Sequence, residues 1–329
     1  MTSTAAVASP VDFERYGEYS VKAPARADGS FARPRYRFQD RITADGSSGY
    51  PAEPGRYHLY VSLACPWAHR SVIVRSLLGL EDVISLSVVD PVRDGRGWAF
   101  RDGPGCSPDP VNGFTLLREA YEATEPGYDG HVSVPVVWDR KQGRIVSNNF
   151  PDITIDLATQ FGRWARPEPD LYPQALRPDI DALNERVYAA VNNGVYQCGF
   201  ATSQQAYDKA VAGLFAMLGE LDQRLAGRRY LFGDRLTEAD VRLWVTLARF
   251  DTVYAIHFKA SLRRLADYPQ LWPYARDLYQ QPAFGATTNF DHIKRHYYGT
   301  HLRLNPQRIV PAGPQLDWAQ PHHRERLAA

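Results

Sequence analysis

An α/β unit followed by an all-helical domain is the fold class this sequence predicts, and three observations predict it. A β-prone run, Tyr57-His58-Leu59-Tyr60-Val61, leads through a short loop into Cys65-Pro66 and a stretch of helical pattern. A valine-rich run from Val132 to Asp139 is followed by Lys141-Gln142-Gly143 and a second short run to Val146, which is a hairpin signature. Beyond about Pro178 the apolar period changes from two to about 3.6 and stays there, with Val187, Val191, Tyr207, Val211, Leu214, Leu218, Leu221 and Leu225 on helix faces.

A chain of 329 residues is long enough for two domains, and 44% hydrophobic with 23% charged residues is an ordinary globular composition. A net charge of +1 gives no concentrated basic face for nucleic acid or an anionic membrane. No apolar stretch approaches a membrane span. The N-terminus lacks a basic start followed by an apolar core, so no targeting segment is expected. Three scattered cysteines, Cys65, Cys106 and Cys198, do not make a disulfide framework. A reducing, cytoplasmic setting follows. Arginine greatly outnumbers lysine, as in GC-rich genomes.

Residues 1–50, rich in Pro, Gly, Ser, Asp and Arg, form an extended arm that packs through Phe13, Tyr16, Phe31, Tyr36 and Phe38, with its first ten residues disordered. Residues 51–165 carry the α/β unit: strand, Cys65 helix, a strand over 83–89, a polar insertion over 91–112, a helix over 115–124, the hairpin and a last helix. The insertion is too polar and too interrupted for a core element. Pro135 inside a strand predicts a cis Val134-Pro135 bond that frees the Val134 backbone to pair with an extended ligand. Residues 178–310 make the helical domain, where Thr237-Glu238-Ala239-Asp240 reads as a capping box. Residues 311–329 form a loose tail that Trp318 can pin.

Pro66 suits the first helical position, which makes Cys65 the helix cap. The orphan N–H groups and the positive end of the dipole then favour thiolate, the nucleophilic form, and Arg70 lies one turn on. Ala68 stands where a second cysteine would complete a dithiol motif, so an outside thiol must resolve Cys65. His292, His296 and His301 lack the spacing of a metal set, and no nucleotide-binding glycine loop is present.

The α/β unit with its active residue at a helix start, the Val-Pro strand and the helical domain resemble a cytosolic glutathione transferase. Cys65-Pro66-Trp67-Ala68, Gly97-Trp98, the run Val134 to Asp139, Asn193-Gly194-Val195-Tyr196 with Gly199-Phe200-Ala201, Leu236 to Asp240, Arg249 to Tyr254, and Asp291 to Gly299 together resemble the glutathionyl-hydroquinone reductases, the Xi class. The resemblance runs from about Phe31 to Pro314. It implies a thioredoxin-like N-terminal domain, a helical transferase C-terminal domain and a homodimer.

It also implies a reaction that cuts the C–S bond of a thiol-conjugated hydroquinone with a second thiol. Cys65 is the implied nucleophile, Tyr196 the proton-transfer group, and Tyr254 and Tyr297 the hydrogen-bonding partners of the thiolate. The thiol is assigned to Trp98, the backbone of Val132, Ser133, Val134 and Pro135, and a Glu-Ser pair that grips a γ-glutamyl group.

Here the family pattern breaks: for Asn-Glu-Ser-Ser-Glu-Ile this chain has Asn148-Asn149-Phe150-Pro151-Asp152-Ile153. Losing one charge-assisted hydrogen bond removes roughly 1.5–3 kcal/mol, about ten- to a hundredfold in affinity. Asn149 and Phe150 therefore point to mycothiol, which has no γ-glutamyl group, in place of glutathione. If Asp152 takes over the lost carboxylate's role, glutathione returns. The competing expectations are an omega-like glutathione-dependent thiol transferase or dehydroascorbate reductase, and a non-catalytic interaction module.

Overall fold

The computed structural model describes residues 6–19 and 26–327. In chain order the elements are α1 (Phe13–Tyr16), β1 (Tyr57–Val61), α2 (Pro66–Leu77), β2 (Ser85–Val88), α3 (Arg118–Thr124), β3 (Val136–Asp139), β4 (Arg144–Ser147), α4 (Phe150–Gln160), α5 (Arg177–Val187), α6 (Gly194–Phe200), α7 (Gln204–Arg224), α8 (Glu238–Arg249), α9 (Leu271–Tyr279), α10 (Pro282–Gly285) and α11 (Phe290–Thr300). They fall into two compact units. One comprises Met1–Lys22, Pro34–Pro167 and Asn289–Val310; the other comprises Ala23–Arg33, Glu168–Thr288 and Pro311–Ala329.

The first unit is built on a sheet of order β2-β1-β3-β4, with β1 parallel to β2 and antiparallel to β3, and β3 antiparallel to β4. All five residues of β1 are buried, as expected of a strand covered on both faces. His58 fits there because its ring nitrogens hydrogen-bond the hydroxyls of Ser85 and Ser87 on β2, at 2.7 and 2.9 Å. The hairpin turn is held by Asp139, which pairs with buried Arg56 through three hydrogen bonds and also accepts from Lys141 N at 2.8 Å. Helices α2 and α4 pack together, and α3 packs on β4. The arm joins the sheet edge, with Asn148 N donating to Phe38 O at 3.0 Å and Asp40 N to Val146 O at 3.2 Å.

Several expectations for this unit are corrected. The strand expected over 132–139 begins only at Val136, because the cis Val134-Pro135 bond lies before it and proline has no ladder N–H. The helix over 115–124 starts at Arg118, since the Glu119 carboxylate takes the N–H groups of Thr115 and Leu116. The insertion does contribute to the core: Trp98, Ala99 and Phe100 are buried. Its polarity is spent internally, with Asp109 accepting from Tyr60 Oη and from the N–H groups of Val111, Asn112 and Phe114. Of the ten residues expected to be disordered, the first five lie outside the described residues. Beyond them, Ala8 N donates to Phe100 O at 2.9 Å, and Ser9 O accepts from Arg101 Nε at 2.9 Å.

The units also differ from the boundaries 1–50, 51–165, 178–310 and 311–329. Helix α11 belongs with the α/β unit because its face meets the insertion: His296 Nδ1 donates to Pro91 O at 2.6 Å and His292 Nε2 to Pro104 O at 2.8 Å. Those bonds give both histidines a structural task.

The second unit is helical. Thr237 and Asp240 form the capping box of α8, and Asp240 further accepts from Leu231 N and Tyr274 Oη at 2.9 and 2.8 Å. Two π-helical turns interrupt the regular helices, at Tyr188–Asn192 and Phe250–Tyr254. The tail is pinned by Trp318, as expected, and is also held at Arg324, where looseness was expected. Trp318 is buried against Trp244, Trp272 and Tyr279, and Arg324 donates to the carbonyls of Leu225 and Arg229.

Candidate active site

Cys65 occupies the cap of α2, in extended backbone at φ −77° and ψ 121°, with Pro66 in the first turn. The half-buried thiol donates to Val134 O at 3.5 Å. That contact belongs to the protonated form. A thiolate has no proton to give and is served instead by the positive end of the α2 dipole. Arg70 is fully buried, its guanidinium lying 4.9 Å from the Trp67 ring centre and 5.0 Å from that of Phe150. The guanidinium thus stands in an aromatic stack one turn along α2 from Cys65.

The thiol-side segment Val132-Ser133-Val134-Pro135 is buried and held from several directions. Tyr121 Oη donates to Ser133 O at 2.8 Å and accepts from Ser133 N at 3.1 Å. Tyr19 Oη hydrogen-bonds His131 Nδ1 at 2.8 Å and donates to Val132 O at 3.4 Å. The Val134-Pro135 bond is cis, as the sequence predicts, and the Cys65 thiol meets the Val134 carbonyl. Trp98 is buried in a stack: Arg93 lies 4.3 Å from its ring centre and 4.2 Å from that of Tyr19, and His296 is stacked on Trp98 at 5.1 Å. Tyr297, on α11, is 1% exposed and packs edge-on against His296 and His301.

At the start of α4, Asn149 is the cap residue and its Nδ2 donates to Asp152 Oδ2 at 2.7 Å. Arg41 pairs with Asp152 at 3.5 Å. Phe150 is 2% exposed, packed 4.4 Å from the Trp67 ring and edge-on to Tyr36. Pro151 has no N–H to offer an anion. An α-helix start ordinarily binds anions through such groups; here one is gone and a carboxylate stands in the first turn.

In the helical unit, Tyr196 lies on α6, directly after the first π-helical turn, and Tyr254 closes the second. Their ring centres are 6.0 Å apart, and Phe258 packs on both. Widened turns of this kind concentrate at functional sites. Asn192 fixes the first through Arg242 O and Thr246 Oγ1, and Asp251 fixes the second by accepting from Leu265 N and Ala266 N. Burial pushes the Cys198 thiol up to about 12, which suits packing and not disulfide exchange.

Sequence reasoning missed Tyr19, Arg93, Tyr121 and Arg33. Tyr19 and Arg33 meet partners more than a hundred residues away, and no local motif marks Arg93 or Tyr121, although Trp98 and Ser133 lie close in the chain.

The family model for the glutathione S-transferase C-terminal domain matches residues 204–277. The glutathionyl-hydroquinone reductase YqjG of Escherichia coli is 48% identical over 304 residues, covering 90% of this chain and 93% of that protein. Its glutathione-bound structure superposes with a TM-score of 0.85 at 48% identity, over 91% of this chain and 98% of that one. The Xi transferase of Phanerochaete chrysosporium gives 0.88 at 46% identity, over 92% and 98%. With that identity sustained along nearly its whole length, the chain belongs to the glutathionyl-hydroquinone reductase family, the Xi class of glutathione transferases, with a thioredoxin-like domain and a helical transferase domain.

Proposed function

We propose that this protein is a thiol-dependent reductase that releases hydroquinones from their S-conjugates through a mixed disulfide on Cys65, using mycothiol in place of glutathione. The ring of the conjugate first tautomerises, its hydroxyl proton leaving and a proton joining the carbon that bears sulfur. The Cys65 thiolate then attacks that sulfur: an S–S bond forms, the C–S bond breaks, and its electron pair leaves as an enolate in place of an aryl carbanion. Tyr196 moves the proton at the ring oxygen. A second thiolate attacks the mixed disulfide, so hydroquinone is the reduced product and a low-molecular-weight disulfide the oxidised one. Tyr254 and Tyr297 are assigned the hydrogen bonds that hold the sulfur anionic.

The choice of thiol rests on the start of α4. Asn149 replaces the carboxylate that would pair with a γ-glutamyl amine, Phe150 fills the place of a small hydroxyl, and Pro151 removes a donor. Asp152 is already engaged by Asn149 and Arg41, which argues against its serving that amine. The test follows free hydroquinone from the glutathionyl and mycothiyl conjugates of one hydroquinone, each with its matching thiol. Turnover of the mycothiyl conjugate alone is expected. Equal or better turnover of the glutathionyl conjugate would overturn the choice of thiol, and inertness toward both would favour a non-catalytic module. The Asn149→Glu, Phe150→Ser double variant should regain about tenfold or more in glutathione KM. If wild type exchanges simple disulfides but releases no hydroquinone, the omega-like activity replaces this one. The same proposal places the enzyme in the cytoplasm as a homodimer, which sedimentation would check.

A further inference from the structure

Tyr196 is the one residue assigned to proton transfer, and the segment Ala23–Arg33 of the N-terminal arm belongs to its compact unit. The described part of this segment, residues 26–33, is anchored at the junction of α6 and α7. Thr202 N donates to Gly29 O at 3.0 Å and Ser203 Oγ to Asp28 O at 2.9 Å. Gly29 has φ +79°, and a side chain there would meet Ser203 Oγ at 2.8 Å, so the crossing needs glycine. Two side chains then reach the Tyr196 ring. Phe31 is stacked on it at 6.4 Å and 25°, and also packs on Phe200 at 5.4 Å. The Arg33 guanidinium carbon lies 4.7 Å from the centre of the Tyr196 ring. Its Nε donates to Asn193 Oδ1 at 3.1 Å, and Asn193 opens the motif that ends in Tyr196.

We propose that Arg33 is a positioning residue for the proton transfer, holding the Tyr196 ring and keeping a fixed positive charge beside its face as the phenol gives up its proton. This rests on the role proposed for Tyr196. A cation near a neutral phenol ring gains only the quadrupole attraction, about 0.5–2 kcal/mol. When the proton leaves for the enolate oxygen, negative charge spreads into the ring and the same cation meets a full charge at the same distance. The interaction therefore strengthens along the reaction, the condition for lowering a barrier. Asn193 keeps the guanidinium from turning away, and Phe31 keeps the ring from tilting. Both the charge and its fixed position matter, so lysine should be an imperfect substitute.

The test compares wild type, Arg33→Gln, Arg33→Lys, Tyr196→Phe and the Arg33→Gln, Tyr196→Phe double variant in two assays. One is hydroquinone release from the better conjugate; the other is exchange with a simple dialkyl disulfide, which uses Cys65 and needs no proton at a ring. Arg33→Gln is expected to lower kcat for hydroquinone release by about tenfold or more, leave thiol KM unchanged, and leave disulfide exchange intact. Arg33→Lys should recover part of the loss, and Arg33→Gln should cost nothing further in the Tyr196→Phe background. Equal losses in both assays, or an undiminished Arg33→Gln loss without the Tyr196 hydroxyl, would overturn the proposal by reducing Arg33 to a packing residue. A wild type that releases no hydroquinone, or a Tyr196→Phe variant that is fully active, would instead bring down the role given to Tyr196, and the role of Arg33 with it.

Discussion

Tyr19 reaches two parts of the thiol side at once, its hydroxyl on His131 and Val132 and its ring on the Arg93 guanidinium that also lies against Trp98. Tyr19→Phe keeps the ring and removes the hydroxyl. One neutral hydrogen bond is worth about 1 kcal/mol, so thiol KM should rise about fivefold while kcat holds, as steady-state kinetics at saturating conjugate would show. An unchanged KM would mean that Tyr121 alone suffices to hold the segment. Cys65 was legible in the sequence because everything that defines it is local: a strand before, a proline after, and the helix that follows. Tyr19 was not, since it stands more than a hundred residues before Val132 in an arm with no periodicity of its own. Asn149 and Phe150 fall between these cases. Their departure from the family pattern is visible in the sequence, but the engagement of Asp152 by Asn149 and Arg41 is visible only in the structure.

At the scale of elements, the approach of α6 to Phe258 depends on one missing side chain. A Cβ at Gly199 would lie 2.3 Å from the Phe258 ring, and that ring packs on Tyr196 and Tyr254. Gly199→Ala should therefore cost about 1–3 kcal/mol of stability through overpacking and slow hydroquinone release more than disulfide exchange, measured by chemical denaturation and the paired assays. Trp318→Ala should cost about 3–5 kcal/mol, because the tail closes over Trp244, Trp272 and Tyr279, and it should leave Cys65 reactivity alone. Element types were legible wherever periodicity or cap chemistry was strong, as at α2 and α8. Boundaries failed where a side chain competed with the backbone, as Glu119 does ahead of α3, or where proline delayed a strand, as Pro135 does before β3. In the tail, Trp318 was legible as the pin because a lone tryptophan stands out in a polar stretch, whereas the bonds of Arg324 to the Leu225 and Arg229 carbonyls were not, since their partners lie almost a hundred residues away.

For the whole molecule, the division into units could not be drawn from contiguous segments, because α11 joins the α/β unit through His292 and His296 and the arm is shared between the two. Each unit also buries a histidine whose environment favours the neutral ring. In the first, burial and, less strongly, Arg140 and Arg75 push His58 down to about 3; in the second, burial and then Lys259 push His257 down to about 4. An unfolded histidine titrates near 6.5, so below that pH the unfolded chain binds protons that the folded chain refuses, and stability falls as pH falls. The stability is fully present above about 6.5 and is lost at up to about 1.4 kcal/mol per pH unit for each ring, down to about 4 for His257 and about 3 for His58. Asp156, Asp240 and Asp251 act in the opposite sense: burial raises each, so the folded state takes up protons first and is favoured as pH falls. His58→Gln separates the terms, since glutamine can still meet Ser85 and Ser87 but does not titrate. Denaturant midpoints taken from pH 7 to pH 5 should fall steeply for wild type and less steeply for the variant, by about 1.4 kcal/mol per pH unit in the first unit's transition. Parallel curves would mean that protonated His58 is accommodated by the serine hydroxyls, and that the acid sensitivity lies with His257 or the carboxyls.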